Sequence, residues 1–169
     1  MDAELVTRIL EPWHINHRVN EMLLDAISPE GFKCTLSKRG GRDVGRQFAH
    51  LHDVRFWHLD STARRYAKGM TRIDPKGPID RALLKRQLAR STEAIAAWPT
   101  ETLAADGSVK PVKSTTAVRT ATVRTAIVRL AYFIAHESHH RGSILLTLKQ
   151  CGHKVPQDVA WAIWDWGKL

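Results

Sequence analysis

A chain of 169 residues, 43% of them hydrophobic and 25% charged, is long enough to bury the core of one domain and too apolar to remain disordered. Its 26 Lys and Arg against 17 Asp and Glu leave a net charge of +9, which raises nucleic acid as a partner, because phosphate neutralisation drives such binding. There is no run of about 18 apolar residues and no basic start followed by an apolar stretch, so neither a membrane span nor a signal peptide is expected and the expected location is the cytoplasm.

Period-3.6 patterning predicts four long helices. The first is expected from about Trp13 to Ile27, with Pro12 suited to a first-turn position, a stripe of Ile15, Val19, Met22, Leu23, Ala26 and Ile27, and Ser28-Pro29-Glu30-Gly31 as its stop. The second should start at an Asp43 N-cap and run to about Ala67, with Val44, Phe48, Leu51, Val54 and Trp57 as its apolar positions. After the Asp74-Pro75-Lys76-Gly77-Pro78 loop, Asp80 should cap a third helix carrying Leu84, Leu88, Ile95 and Trp98, which Pro99 should end. The stretch from Thr100 to about Thr116, with Asp106-Gly107 and Pro111, is expected to be an extended connection. The last long helix should begin between Thr116 and Thr125 and reach Cys151, with Gly152 as its C′ residue. A tryptophan-rich helical cap is expected over Val159 to Trp166. Helices without convincing strands argue for an all-α, four-helix bundle, a single domain over residues 1–169.

The basic residues are dispersed: Arg81, Lys85, Arg86 and Arg90 on one helix, Arg119, Arg124 and Arg129 on another, and Lys38, Arg39 and Arg42 in a glycine-bearing loop. Such spacing reads as solvated helix faces, or as a field that attracts an anionic small substrate, and not as a sequence-specific DNA reader. Cys34 and Cys151 lack CxxC spacing and read as inert thiols of a reducing compartment.

The residues that speak of chemistry are His136-Glu137-Ser138-His139-His140-Arg141-Gly142. His136 and His140, four apart on a helix, can aim ring nitrogens at one metal ion, and their stripe with Phe133 and Ile144 is expected to face the bundle interior. A catalytic ion usually takes three protein ligands and keeps a position open. His50, in line with Val54 and Trp57, is the better third ligand; His58 competes with it, and His52 projects the other way. His139 reads as adjacent or surface, and His14, His17, His52 and His153 as solvated or partly buried. The run is also a literal HExxH, in which Glu137 would be a general base, but the extended peptidase pattern fails: Leu146 stands where its third histidine would fall. Glu137 is therefore a candidate catalytic base beside the metal, or a carboxylate paired with something basic.

These residues resemble a known group, the DinB/YfiT-like superfamily. The resemblance rests on Ala49-His50-Leu51 in the second helix and on His136 through Ile144. It rests also on the leucine-rich turn Leu145-Leu146-Thr147-Leu148 with Gly152 and Pro156 after it, and on Asn20 ahead of Met22-Leu23-Leu24. It implies a four-helix bundle with a three-histidine metal site on His50, His136 and His140, and relatives that are metal-dependent transferases or isomerases using low-molecular-weight thiols. Ser143 departs from the common glutamine.

Three functions follow as expectations. The first is a metal-dependent enzyme in which an ion on His50, His136 and His140 activates a thiol or water for transfer to a small electrophilic substrate. The second is a hydrolase with Glu137 as base, and the third a non-catalytic stress-response protein with a structural metal. Three imidazoles suit zinc or nickel, and also iron or copper. A low-molecular-weight thiol is the expected second cofactor, a small molecule the expected partner, and a homodimer an admissible state; no membrane or specific nucleic-acid partner is expected.

Overall fold

The computed structural model describes residues 3–105 and 126–169. Four long helices, α1 (Ala3–Ala26), α2 (Val44–Thr62), α3 (Arg81–Ala105) and α4 (Ala126–Gln150), pack as a bundle with a short α5 (Gln157–Ala162) against α1. Single 3₁₀ turns at Gly31–Lys33 and Arg64–Ala67 lead out of α1 and α2, and no strand occurs among the described residues.

The caps follow the sequence. Asp43 accepts the Arg46 N–H at 2.7 Å, and Asp80 accepts the Leu83 N–H at 2.7 Å, each satisfying a backbone donor that a first helical turn leaves open. Gly152, at φ 80°, closes α4, a conformation that disfavours any residue with a Cβ.

Both internal prolines depart from expectation. Pro12 does not start α1, which begins at Ala3, and Pro99 does not end α3, which continues to Ala105. A mid-helix proline costs about 3 kcal/mol. Beyond Pro12, however, Val6 and Leu10 are buried beside Trp13, and beyond Pro99 lies Leu103 in the same cluster. Burial contributes about 1.5–3 kcal/mol for each such side chain, enough to carry the helix through. The expected extended connection is thus helical as far as Ala105, while its remainder and the onset of the last helix fall outside the described residues. α2 ends at Thr62, five residues before its expected end, and α5 is placed earlier than the tryptophans suggest, leaving Trp161 and Trp164 exposed.

The core is two apolar clusters with a polar layer between them. One holds Leu23, Phe48, Leu51, Leu84, Leu88, Ile144 and Leu148; the other Trp13, Leu59, Ile95, Trp98, Leu130 and Phe133. In the layer, Arg55 of α2 grips Glu137 of α4 with both ends of its fork, Nε to Oε1 at 2.6 Å and Nη2 to Oε2 at 2.7 Å. Asn16 and Asn20 of α1 donate to the same carboxylate at 2.7 and 2.8 Å. Their carbonyl oxygens accept from Arg141 at 2.7 and 3.0 Å. The remaining Arg55 nitrogen donates to the Leu88 carbonyl and the Ser91 and Thr92 hydroxyls of α3, and the Trp13 ring lies 4.6 Å from the guanidinium. All four long helices are tied through one carboxylate and one guanidinium.

Burial alone would push the Glu137 carboxyl up, but the Arg55 charge and the Arg55, Asn20 and Asn16 hydrogen bonds outweigh it and hold the pKa below the ordinary value. The stabilisation is therefore present above the ordinary carboxylate pKa and is lost as the pH falls through the native one.

Cys34 and Cys151, remote in sequence, lie half-buried where the loop after α1 meets the end of α4, the Cys34 thiol donating to the Glu30 carbonyl at 3.7 Å and the Cys151 thiol to the Thr35 carbonyl at 4.0 Å.

Removing Arg55 leaves Glu137 buried without its counter-ion, so Arg55→Ala is expected to lower the unfolding free energy by about 3–5 kcal/mol. The double variant Arg55→Ala, Glu137→Leu should cost less than the sum of the two single changes, as urea unfolding of all three proteins will measure.

Candidate metal centre

The innermost line of α4 is Phe133, Glu137, Arg141, Ile144 and Leu148, all buried. This corrects the expected stripe. His136 and His140 do not point along the core axis but sit half-buried on its flank, because Glu137 takes the central position to meet Arg55. The same holds on α2, where Phe48, Leu51, Arg55 and Leu59 are buried, Trp57 is 38% exposed, and His50 lies half-buried to one side.

The two flanks face each other. One ring nitrogen from each of His50, His136 and His140 lies within 4.8 Å of the other two. The ring centroids are 4.8 Å apart for His50 and His140, 5.5 Å for His50 and His136, and 4.6 Å for His136 and His140. Ligand nitrogens about 2.1 Å from a common ion stand roughly 3.4 Å apart in a tetrahedral site, so closure needs side-chain adjustments of about 1 Å.

Two observations show that the donor set fits an ion. His136 Nδ1 is buried without a hydrogen-bond partner, and such an orphan costs about 1–3 kcal/mol unless something satisfies it. The three imidazoles are also held in the neutral, ligating form. Burial pushes His50 and His140 down to about 4, helped by the Arg42 charge and by the neighbouring histidines, and burial lowers His136 as well. Among the described residues no fourth His, Cys, Asp or Glu joins the group.

The other histidines fall elsewhere. His52, expected to be solvated or partly exposed, is fully buried, with its ring nitrogens 3.0 Å from the Gln87 carbonyl and 2.9 Å from the Thr71 carbonyl, so it fastens α2 to α3 and the preceding loop. His58, the competing ligand, is buried with its Nδ1 against Arg129 and its ring against Trp57, Tyr132 and Phe133. Arg129 is itself fully buried over Trp98, so it does not belong to a solvated face. His139 is exposed, its ring edge against His140. His14, His17 and His153 are half-buried. Glu137, a candidate base from the HExxH spacing, has both carboxylate oxygens engaged in the polar layer.

Sequence reasoning missed Asn16 and Arg55 and gave Asn20 a place in the family resemblance but no role. Asn16 and Asn20 lie one turn apart among buried apolar positions, and Arg55 follows Phe48 and Leu51 on the buried line of its helix. Polar residues placed on two apolar stripes were the available signal.

A cavity of about 300 Å³ opens beside His50, with Arg42, Asp53 and Arg72 in its walls. A larger hollow of about 550 Å³ between the Pro29–Lys33 turn and the start of α3 contains none of the three histidines. Its arginines and aspartates are already spent: Arg46 and Arg81 donate to backbone carbonyls, and Asp43 and Asp80 cap helices. The chemistry points to the smaller one.

The model of the DinB family matches residues 1–166, and the chain belongs to that family. No curated protein and no solved structure matches it.

Neutral imidazoles give a pH signature. Three unperturbed histidines would lose about a thousandfold in metal affinity between about pH 7.5 and 5.5 through proton competition. With His50 and His140 lowered to about 4, and His136 lowered too, the loss is expected to stay below about tenfold. Zinc titrations at the two pH values with a competing chelator will measure it.

Proposed function

We propose that this DinB-family protein is a metal-dependent enzyme that activates a thiol or water for transfer to a small electrophilic substrate. The observation that carries this reading is a set of three neutral, half-buried histidines on facing helices, one of which, His50, lines a cavity, with no fourth protein ligand in the group among the described residues. A structural ion is normally enclosed by four protein ligands, whereas a catalytic one keeps a position for water or substrate. A divalent ion held by His50, His136 and His140 would supply Lewis acidity, lowering the pKa of a thiol or water bound to it. Three neutral ligands leave its charge undiminished. Zinc or nickel suits this donor set best, iron or copper next.

The chain's own residues do the positioning. Glu137, between the two α4 histidines in sequence, is locked to Arg55, Asn16 and Asn20 and so fixes the rotation of α4 that turns His136 and His140 toward His50. Tyr132 stacks on His136, with ring centroids 5.9 Å apart, and limits its tilt. The hydrolase alternative asks Glu137 to accept a proton from water. With four hydrogen bonds on its oxygens and a lowered pKa, it is a poor base, and the thiol-transfer reading is favoured.

The test is metal content, helicity and activity of the wild type and His140→Ala side by side. The wild type is expected to hold one equivalent of divalent metal, and His140→Ala to bind it at least about a hundredfold more weakly while remaining helical. Addition of a low-molecular-weight thiol to the cobalt-loaded wild type should produce a thiolate-to-cobalt absorption band. Loss of helicity in His140→Ala would identify a structural ion, and absence of metal from the wild type would remove the enzyme reading.

A further inference from the structure

The wall of the cavity beside His50 carries more positive charge than the protein uses for itself. Arg46 is spent: its guanidinium donates to the Asp74 and Gly77 carbonyls at 2.6 and 2.5 Å. Asp53 is mostly spent, one oxygen accepting the Ile73 N–H at 2.9 Å and the other lying 3.5 Å from an Arg72 that remains 70% exposed. Arg42 has neither an ion pair nor a hydrogen bond among the described residues.

The backbone that carries Arg42 is also held in place. The loop before it is drawn into a tight turn by Ser37, whose hydroxyl oxygen accepts the Arg39 and Gly41 N–H groups, and Gly40 adopts φ 84° to close it. Asp43, next in sequence, is the N-cap that starts α2. The guanidinium thus extends from a backbone anchored one residue ahead of the cap, in the wall of the cavity that His50 also lines.

We propose that Arg42, assisted by Arg72, forms an anion subsite beside the three-histidine cluster, so that the molecule brought there carries a carboxylate or phosphate a few bonds from its reacting atom. A free guanidinium presents a planar fork of donors matched to such groups, and a cavity of about 300 Å³ has room for a small acid. The proposal rests on the metal reading only for the location of the reacting atom; the anion site itself is built from Arg42 and Arg72.

The experiment uses the cobalt-loaded protein and two probe thiols of similar size, mercaptopropionate and mercaptoethanol, whose binding is followed by the thiolate band. Wild type is expected to bind the carboxylate thiol at least about tenfold more tightly, a preference that shrinks as salt is raised. In the Arg42→Ala, Arg72→Ala variant the ratio should fall to near one. Arg42→Lys should restore part of it, and Arg39→Ala, in the same loop, should leave it intact. A metal-loaded double variant that keeps the preference overturns the proposal, as does a wild type with none. If the protein takes up no metal, the proposed function fails separately. The subsite is then read on the apoprotein by titrating succinate and inorganic phosphate and following the Gly41, Arg42 and His50 amides by NMR. Shifts that vanish in the double variant support the subsite, distinguishing carboxylate from phosphate by affinity, and their absence from the wild type overturns it.

Discussion

The pairing of Glu137 with Arg55 is the constraint on which the rest of the bundle depends. An unpaired carboxylate at the centre of a helical core costs several kcal/mol, so α2 and α4 must present these two residues to each other before either can bury its apolar stripe. The asparagines of α1 and the hydroxyls of α3 complete the set of partners. A helix rotated by one position would strand at least one of these groups without a partner. Apolar packing tolerates many arrangements of four helices; a fully engaged polar layer tolerates few.

That constraint explains where the histidines lie. With Glu137 turned to the axis, its neighbour His136 and the residue one turn on, His140, are displaced to the same flank, and Arg55 does the same for His50 on α2. Their half-buried position suits the chemistry we propose. Full burial would leave no route for substrate, and full exposure would let the rings protonate near pH 6.5 and lose their lone pairs. The buried charge and the neutral imidazoles divide the labour: one holds the helices, the other is left free to ligate.

Much of this was legible in the sequence, for reasons that can be stated residue by residue. His136 and His140 declared themselves as a pair through the i, i+4 spacing, and they do meet His50, although the inward stripes assigned to all three belong to Glu137 and Arg55 and their neighbours. Asp43, Asp80 and Gly152 marked helix ends because caps satisfy local backbone groups, which local sequence can report. Pro12 and Pro99 misled because their cost is local while the burial of Val6, Leu10 and Leu103 that offsets it is tertiary. Arg55 stood on an apolar stripe, but its role was hidden for the same reason: an arginine in a helix looks solvated until the carboxylate it meets, on another helix far along the chain, is placed beside it. His52 concealed itself likewise, since the carbonyls that bury it belong to Gln87 and Thr71.

The distribution of charge follows from the same accounting of partners. A net charge of +9 suggests a strongly positive surface, but several arginines act as internal donors. Arg55 and Arg141 serve the polar layer, Arg129 lies buried against His58 and Trp98, and Arg46 and Arg81 donate to carbonyls between elements. Guanidinium is well suited to this work, with five donors, a planar fork and weaker hydration than an ammonium. Hydrogen bonding to neutral oxygens leaves the net charge unchanged but occupies these guanidinium groups, so the positions where a guanidinium remains uncommitted beside a cavity carry more information than the total. Arg42 is such a position, one residue ahead of the cap that starts the helix bearing His50. Its value lies in geometry: the tight turn and the helix cap fix the backbone from which it extends, so that meeting an anion requires ordering the side chain and not the loop that carries it.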